Sequence, residues 1–159
     1  MRHHVLGEGI LVGLAGAVIV AIWFLIFDLA AGVPLRTPAL LGAVLFQHLH
    51  EPAALEITPK LVLEYTIVHG TVFVVFGIVA SSLFALVDRD RRILFAVFML
   101  FACFEVAFLA AVAILSGWLY GELRPWSILS ANALAAVTML AILFRRHHRS
   151  PAELLVAGE

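Results

Sequence analysis

Long apolar runs separated by short polar punctuation dominate this chain. Four stretches reach the roughly 20 mostly apolar residues that a helix needs to cross a bilayer. They cover residues 10–31, 61–87, 93–120 and 126–144. The runs stop at Gly32-Val33-Pro34, at Asp88-Arg89-Asp90-Arg91-Arg92, between Gly121 and Pro125, and at Arg145-Arg146-His147-His148-Arg149. Inside lipid each backbone N–H and C=O must find a partner within the protein, which an α-helix does by itself. The pattern therefore predicts an all-α, polytopic four-helix membrane bundle. It forms a single transmembrane domain over residues 1–150, with a short tail at 151–159.

The connections are unequal. Spans two and three, and three and four, are joined by tight turns, whereas about thirty residues separate spans one and two. In that segment Thr37-Pro38 is a helix-start signal, with Thr as N-cap and Pro in the first helical position. A short helix is expected over 38–50. Leu40, Leu41, Val44, Leu45 and Leu49 share a broad face, and Gln47, His48 and Glu51 gather near the end. It is too short to span, so it is expected to lie in the membrane interface.

Composition sharpens this reading. Of 159 residues, 64% are hydrophobic and 13% charged, against roughly half and a quarter in soluble domains. A soluble globule of this size lacks the polar side chains to cover so much apolar surface, and disordered chains are poor in apolar residues. Ten basic and eleven acidic residues give a net charge of −1, which points to the lipid bilayer and to no nucleic-acid partner. Placing both termini in the cytoplasm puts Arg2, Arg89, Arg91, Arg92, Arg145, Arg146 and Arg149 inside and only Arg36, Lys60 and Arg124 outside. The positive-inside rule favours that orientation, with the helix at 38–50 on the outer side. Trp118, Tyr120 and Trp126 then sit at the outer interface. The first run is long for a signal peptide, and Asp28 stands beside its only plausible cleavage site, so it is expected to be an uncleaved anchor.

Small residues suggest how the helices meet. Gly9, Gly13, Ala17 and Ala21 recur every fourth residue, with Gly16 alongside, and Ser127, Ala131 and Ala135 repeat the spacing in span four. Gly70 and Gly77 are expected to do the same in span two. Such stripes let helix backbones approach closely, either within one bundle or between subunits.

Polar groups inside the spans are the candidates for chemistry, because each charge in hydrocarbon costs at least ~2.5 kcal/mol. Asp28 follows Ala17 and Ala21 by eleven and seven residues, which puts it on the small-residue face. Glu64 enters span two at a similar level. His69 lies deeper, with Tyr65 and Thr66 placed to orient it. Glu64 and His69 are about 140° apart around the helix, so they need a second helix to share a ligand. Glu105, among Phe101, Ala102, Phe104 and Phe108, is the deepest acid. The cytoplasmic half is expected to hold no buried charge, and His3-His4 and His147-His148 to form a lipid-facing basic fringe.

Three accounts of the cluster Asp28, Glu64, His69 and Glu105 follow. It is structural, with Asp28 capping a helix or pairing with Arg36 or Lys60. It binds a metal through His48, His50, His69 and a carboxylate, although two-residue spacing sets His48 and His50 about 200° apart on a helix. Or it is a proton, quinone or haem site. No nucleotide loop, nucleophile motif or thiol pair accompanies it, and no cofactor is strongly indicated. Cys103, the single cysteine, reads as a small buried hydrophobe.

The stretch Ala21-Ile22-Trp23-Phe24-Leu25-Ile26-Phe27-Asp28-Leu29-Ala30-Ala31-Gly32-Val33-Pro34-Leu35-Arg36-Thr37-Pro38-Ala39 resembles a signature of small bacterial four-helix integral membrane proteins of uncharacterised activity. The resemblance covers about an eighth of the chain and brings no activity with it. It implies that helix end, acid, Gly-x-Pro turn and Thr-Pro helix start act as one unit, closed by Asp28 on Arg36 or Thr37. The leading expectation is an accessory or scaffold subunit of a larger membrane complex, or a homo-oligomer, with a structural polar cluster. The rival is a metal- or proton-linked enzyme or carrier using Asp28, Glu64, His69 and Glu105.

Overall fold

The computed structural model describes residues 2–87, 90, 92–115 and 117–147, and leaves the side chains of residues 2–4, 115 and 120 undescribed. The predicted tail at 151–159, with the adjoining Ser150, therefore lies outside the described residues. All the regular structure among them is helical: α1 (Arg2–Ala30), α2 (Arg36–Gln47), a 3-10 turn (Pro52–Ala54), α3 (Pro59–Val87), α4 (Ile93–Leu115), α5 (Leu119–Leu123) and α6 (Pro125–Arg146). Of these, α1, α3, α4 and α6 are long and apolar enough to cross a membrane, as expected of a multi-pass membrane protein.

Two boundaries differ instructively from the hydropathy pattern. Helix α1 begins at Arg2 rather than residue 10, which brings Glu8 into the helix. The third span ends at Leu115, and the polypeptide turns at Gly117-Trp118 before the separate helix α5.

At 1.5 Å per residue the 29-residue α1 and α3 are about 43 Å long, more than the roughly 30 Å of hydrocarbon. Helices of that length can cross at an angle, and here glycine sets where. A Cβ on Gly9 would lie 2.5 Å from the Ile78 backbone, and one on Gly13 or Gly77 would collide with the backbone of the opposite helix. The third helix joins at Gly16, where a Cβ would meet the Met139 sulfur at 2.6 Å. Ser127, Ala131 and Ala135 are buried on α6, as their spacing predicts. Gly70 faces open space, so only Gly77 of the α3 pair serves the contact. The α1 stripe fades toward the same end, where Ala21 is exposed, because the two helices have diverged.

Helix α2 occupies the space so opened. It packs mainly on α3, where Gly42 lets it approach the Leu61 carbonyl. Leu40, Leu41 and Val44 are buried with Val112, Leu119, Leu123 and Ile128 in a core of their own. With Thr37, Leu40, Ala43 and Val44 buried, α2 is a wedge packed into one end of the bundle. It stops at Gln47, three residues early, because His48 turns into the left-handed region (φ 54°). The N–H groups of His48 and Leu49 then both reach back to the Ala43 carbonyl, a common helix termination.

Helix α4 is the most loosely held span. Phe101 and Phe104 meet Phe76 at ring separations of 4.9 and 4.2 Å. Among its described side chains only Val97 and Val112 are buried. Cys103 is exposed, contrary to its reading as a buried hydrophobe, because none of the described helices covers this side of α4.

Two glycines in one helix should thus respond oppositely. Gly77→Val is expected to lower the unfolding midpoint in mild detergent severely, by overpacking a backbone contact. Gly70→Ala should raise stability by about 0.5–1 kcal/mol through helix propensity alone. Denaturant-resolved circular dichroism of both variants checks the pair.

Candidate functional site

Asp28 is where sequence, turn and packing converge. Gly32 adopts φ 75°, a conformation open to glycine at no steric cost, and lets the Val33 N–H return to the Asp28 carbonyl at 3.0 Å. The chain then enters α2 through Leu35, itself left-handed at φ 63° and with no capping side chain. Thr37 is therefore not the N-cap; it is the second residue of the helix, and Pro38 the third. The cap comes from nine residues upstream. Asp28, 6% exposed, accepts the Thr37 N–H on Oδ2 at 2.8 Å and the Thr37 hydroxyl on Oδ1 at 2.7 Å. A carboxylate here satisfies an orphan N–H at the start of α2 and meets the positive end of its dipole.

The cations proposed as partners of Asp28 go elsewhere. Arg36 donates to Glu122 of α5 at 2.6 Å, and Lys60 lies 3.8 Å from Glu64. Both pairs are partly exposed, so each contributes about 0–1 kcal/mol.

Below the cap, α1, α2 and α3 enclose a mainly apolar cavity of about 230 Å³ whose lining includes Asp28, Thr37, Tyr65, Thr66 and His69. His69 Nε2 lies 3.2 Å from the Ala17 carbonyl. A carbonyl only accepts, so Nε2 carries the proton and Nδ1 of the neutral ring is left as an acceptor. The ring stacks on Tyr65 at 5.7 Å and tilts against Phe73 at 4.8 Å. Thr66 does not orient it, because its hydroxyl bonds the Val62 carbonyl in its own helix.

The four candidates thus divide. Asp28 and His69 line one cavity, Glu64 pairs with Lys60 outside it, and Glu105 lies against α6. There a second crevice of about 200 Å³ is lined by Phe73, Phe76, Phe101, Phe104, Glu105, Asn132 and Met139, among others. The Asn132 amide approaches the Glu105 carboxyl, yet Glu105 Oε1 and Asn132 Nδ2 are both buried with no hydrogen-bond partner. Each such group costs several kcal/mol in hydrocarbon. His48 and His50 are exposed beyond the end of α2. No group of three or more His, Cys, Asp or Glu able to hold a metal occurs among the described residues.

A further cluster went unforeseen. Near the termini, Glu8 Oε2 accepts the Ser81 hydroxyl at 2.9 Å and stands 3.6 Å from His147 Nε2, with side-chain exposures of 11% for Glu8 and 17% for His147. His147 also packs on Phe84 at 5.1 Å. The expectations of no buried charge in this half and of a lipid-facing His147 are both corrected. Glu8 precedes the hydropathic core of its helix, and the three residues meet only through tertiary packing. The trio joins α1, α3 and the end of α6.

No family model, curated protein or solved structure matches this chain. The geometry alone must carry the functional argument.

The Asp28 cap makes a quantitative prediction. Asp28→Ala and Thr37→Val should each destabilise the fold by about 1–3 kcal/mol. Together they should cost clearly less than their sum, because either one alone strands a buried partner. A double-mutant cycle from reversible unfolding in detergent reads the coupling.

Proposed function

We propose that this protein is a small accessory or scaffold subunit, or a homo-oligomer, of a bacterial inner membrane, with both termini cytoplasmic and α2 at the outer end. It works by presenting helix surfaces to other membrane helices, while its outer polar cluster holds the fold. The observation that carries this reading is α4. Phe95, Val106 and Ile114 are 68%, 66% and 84% exposed, on a helix tethered chiefly by a few phenyl contacts to α3. A span that its own bundle leaves so uncovered offers other helices a broad surface for close packing.

The cluster supports the same view from the other side. Both oxygens of Asp28 are engaged by Thr37, and Glu64 faces Lys60. A metal- or proton-linked mechanism using Asp28, Glu64, His69 and Glu105 together would require one shared cavity. The sequence count supports the orientation: seven arginines, Arg2, Arg89, Arg91, Arg92, Arg145, Arg146 and Arg149, fall in the segments assigned inside, against Arg36, Lys60 and Arg124 in those assigned outside.

Native mass spectrometry from nanodiscs should give a particle heavier than the 17.3 kDa chain, in multiples of it or with a stoichiometric partner. Val106→Trp should return the single chain without loss of helicity. A wild-type protein that is monomeric and alone contradicts the proposal. Orientation is read separately by His50→Cys in a Cys103→Ser background. A membrane-impermeant maleimide should label intact spheroplasts of that variant, and labelling only after lysis would reverse the topology.

A further inference from the structure

We infer that the crevice between α4 and α6 is a binding site for the hydroxylated aromatic ring of a membrane-soluble molecule, a phenol or hydroquinone. The two unpartnered polar atoms specify the chemistry. Glu105 Oε1 and Asn132 Nδ2 are buried with no hydrogen-bond partner within reach, and the two side chains line the crevice close to one another. A single hydroxyl serves both, because its hydrogen donates to Oε1 while its oxygen accepts from Nδ2. A ketone or ether satisfies only the asparagine. An aliphatic amine, protonated at neutral pH, keeps no lone pair for the asparagine. The hydroxyl is thus the smallest group that matches the pair.

The walls specify what carries that hydroxyl. Phe73, Phe76, Phe101 and Phe104 present four phenyl rings, with Met139 beside them. Phe73 and Phe104 are edge-to-face at 5.8 Å, as are Phe76 and Phe101 at 4.9 Å, an array into which another ring fits by the same geometry. A sulfur near an aromatic edge adds to this preference. The volume of about 200 Å³ exceeds the roughly 150 Å³ of an apolar cavity known to take benzene, leaving room for the hydroxyl and small substituents. Helices α4 and α6 touch little along their length, so an alkyl tail can leave between them into lipid. The position of Glu105 near the middle of a span places the ring in the hydrocarbon. This site shares no residue with the exposed side of α4 proposed above for helix association.

The test uses the full chain in detergent micelles and two fluorine probes, 4-fluorophenol and 4-fluoroanisole. The anisole keeps the ring and oxygen but cannot donate. Fluorine NMR titration separates saturable binding from the linear partition of either probe into micelles. The wild type should bind one 4-fluorophenol per chain, at least about tenfold tighter than 4-fluoroanisole, which corresponds to about 1.4 kcal/mol. Asn132→Leu and Glu105→Leu should each abolish that preference. Glu105→Gln keeps the acceptor oxygen, should retain binding, and serves as the folded reference if the leucine variant unfolds. Equal affinity for the two probes, absence of saturable binding, or a preference untouched by Asn132→Leu overturns the assignment. So does an oligomer that Asn132→Leu dissociates, since a second chain would then fill the crevice.

Discussion

The close crossing of α1 and α3 at Gly9, Gly13 and Gly77 governs the rest of the molecule. Backbone touches backbone there, because any Cβ at those positions would overlap the opposing main chain. Past that crossing the two helices leave between them a cavity lined by Val18, Ala21, Leu25, Val62 and His69, among others. The gap is then filled by a wedge too short to span, and α2 is that wedge. Its apolar face closes a second core with the ends of α4, α5 and α6. Its backbone start, opened by the left-handed Leu35, needs a capping acceptor that its own sequence does not provide. Asp28 supplies it from the helix that opened the gap. Crossing, wedge, cap and the cavity beneath them form one chain of causes.

Polar groups in this bundle fall into two kinds. Asp28 with Thr37, Glu8 with Ser81, Trp23 with Ser127 at 3.1 Å, and His69 with the Ala17 carbonyl each tie one helix to another. Each answers its own desolvation with a hydrogen bond, so its presence in the membrane is explained by the fold. Glu105 and Asn132 are different: like Trp118 Nε1, atoms of both are buried and unanswered, and these two face one shared crevice. They belong to two helices that touch each other little. In a medium without water, the unmet pair is where the structure leaves room for something else.

Periodicity carried much of this, and its limits are physical. The four spans are local properties of composition, and Asp28 could be placed on the inner face because 100° per residue relates it to Ala17 and Ala21. The partner of Asp28 was visible as Thr37, but the capping rule places the acceptor immediately before the helix and so misassigned the role. Helix α2 reads as amphipathic, which states that one face is apolar but not that a splayed pair awaits it. Gly70 and Gly77 are equivalent in sequence, and only the crossing point distinguishes them. Glu8 sits ahead of the hydropathic window, Ser81 looks like any helix serine, and His147 lies in a basic run. Their meeting depends on three helices at once. Asn132 reads as a single polar residue in an apolar helix, and nothing local says that Glu105 lines the same crevice.

The central claim is that a carboxylate from α1 holds the wedge in the gap that the glycine crossing creates. Amide hydrogen exchange, read by mass spectrometry on nanodisc-embedded wild type and Asp28→Ala, tests it most directly. The account predicts that residues 36–47 lose protection in the variant while residues 73–80, at the crossing, exchange as slowly as before. Unchanged protection of α2, or equal loss at both places, would contradict it.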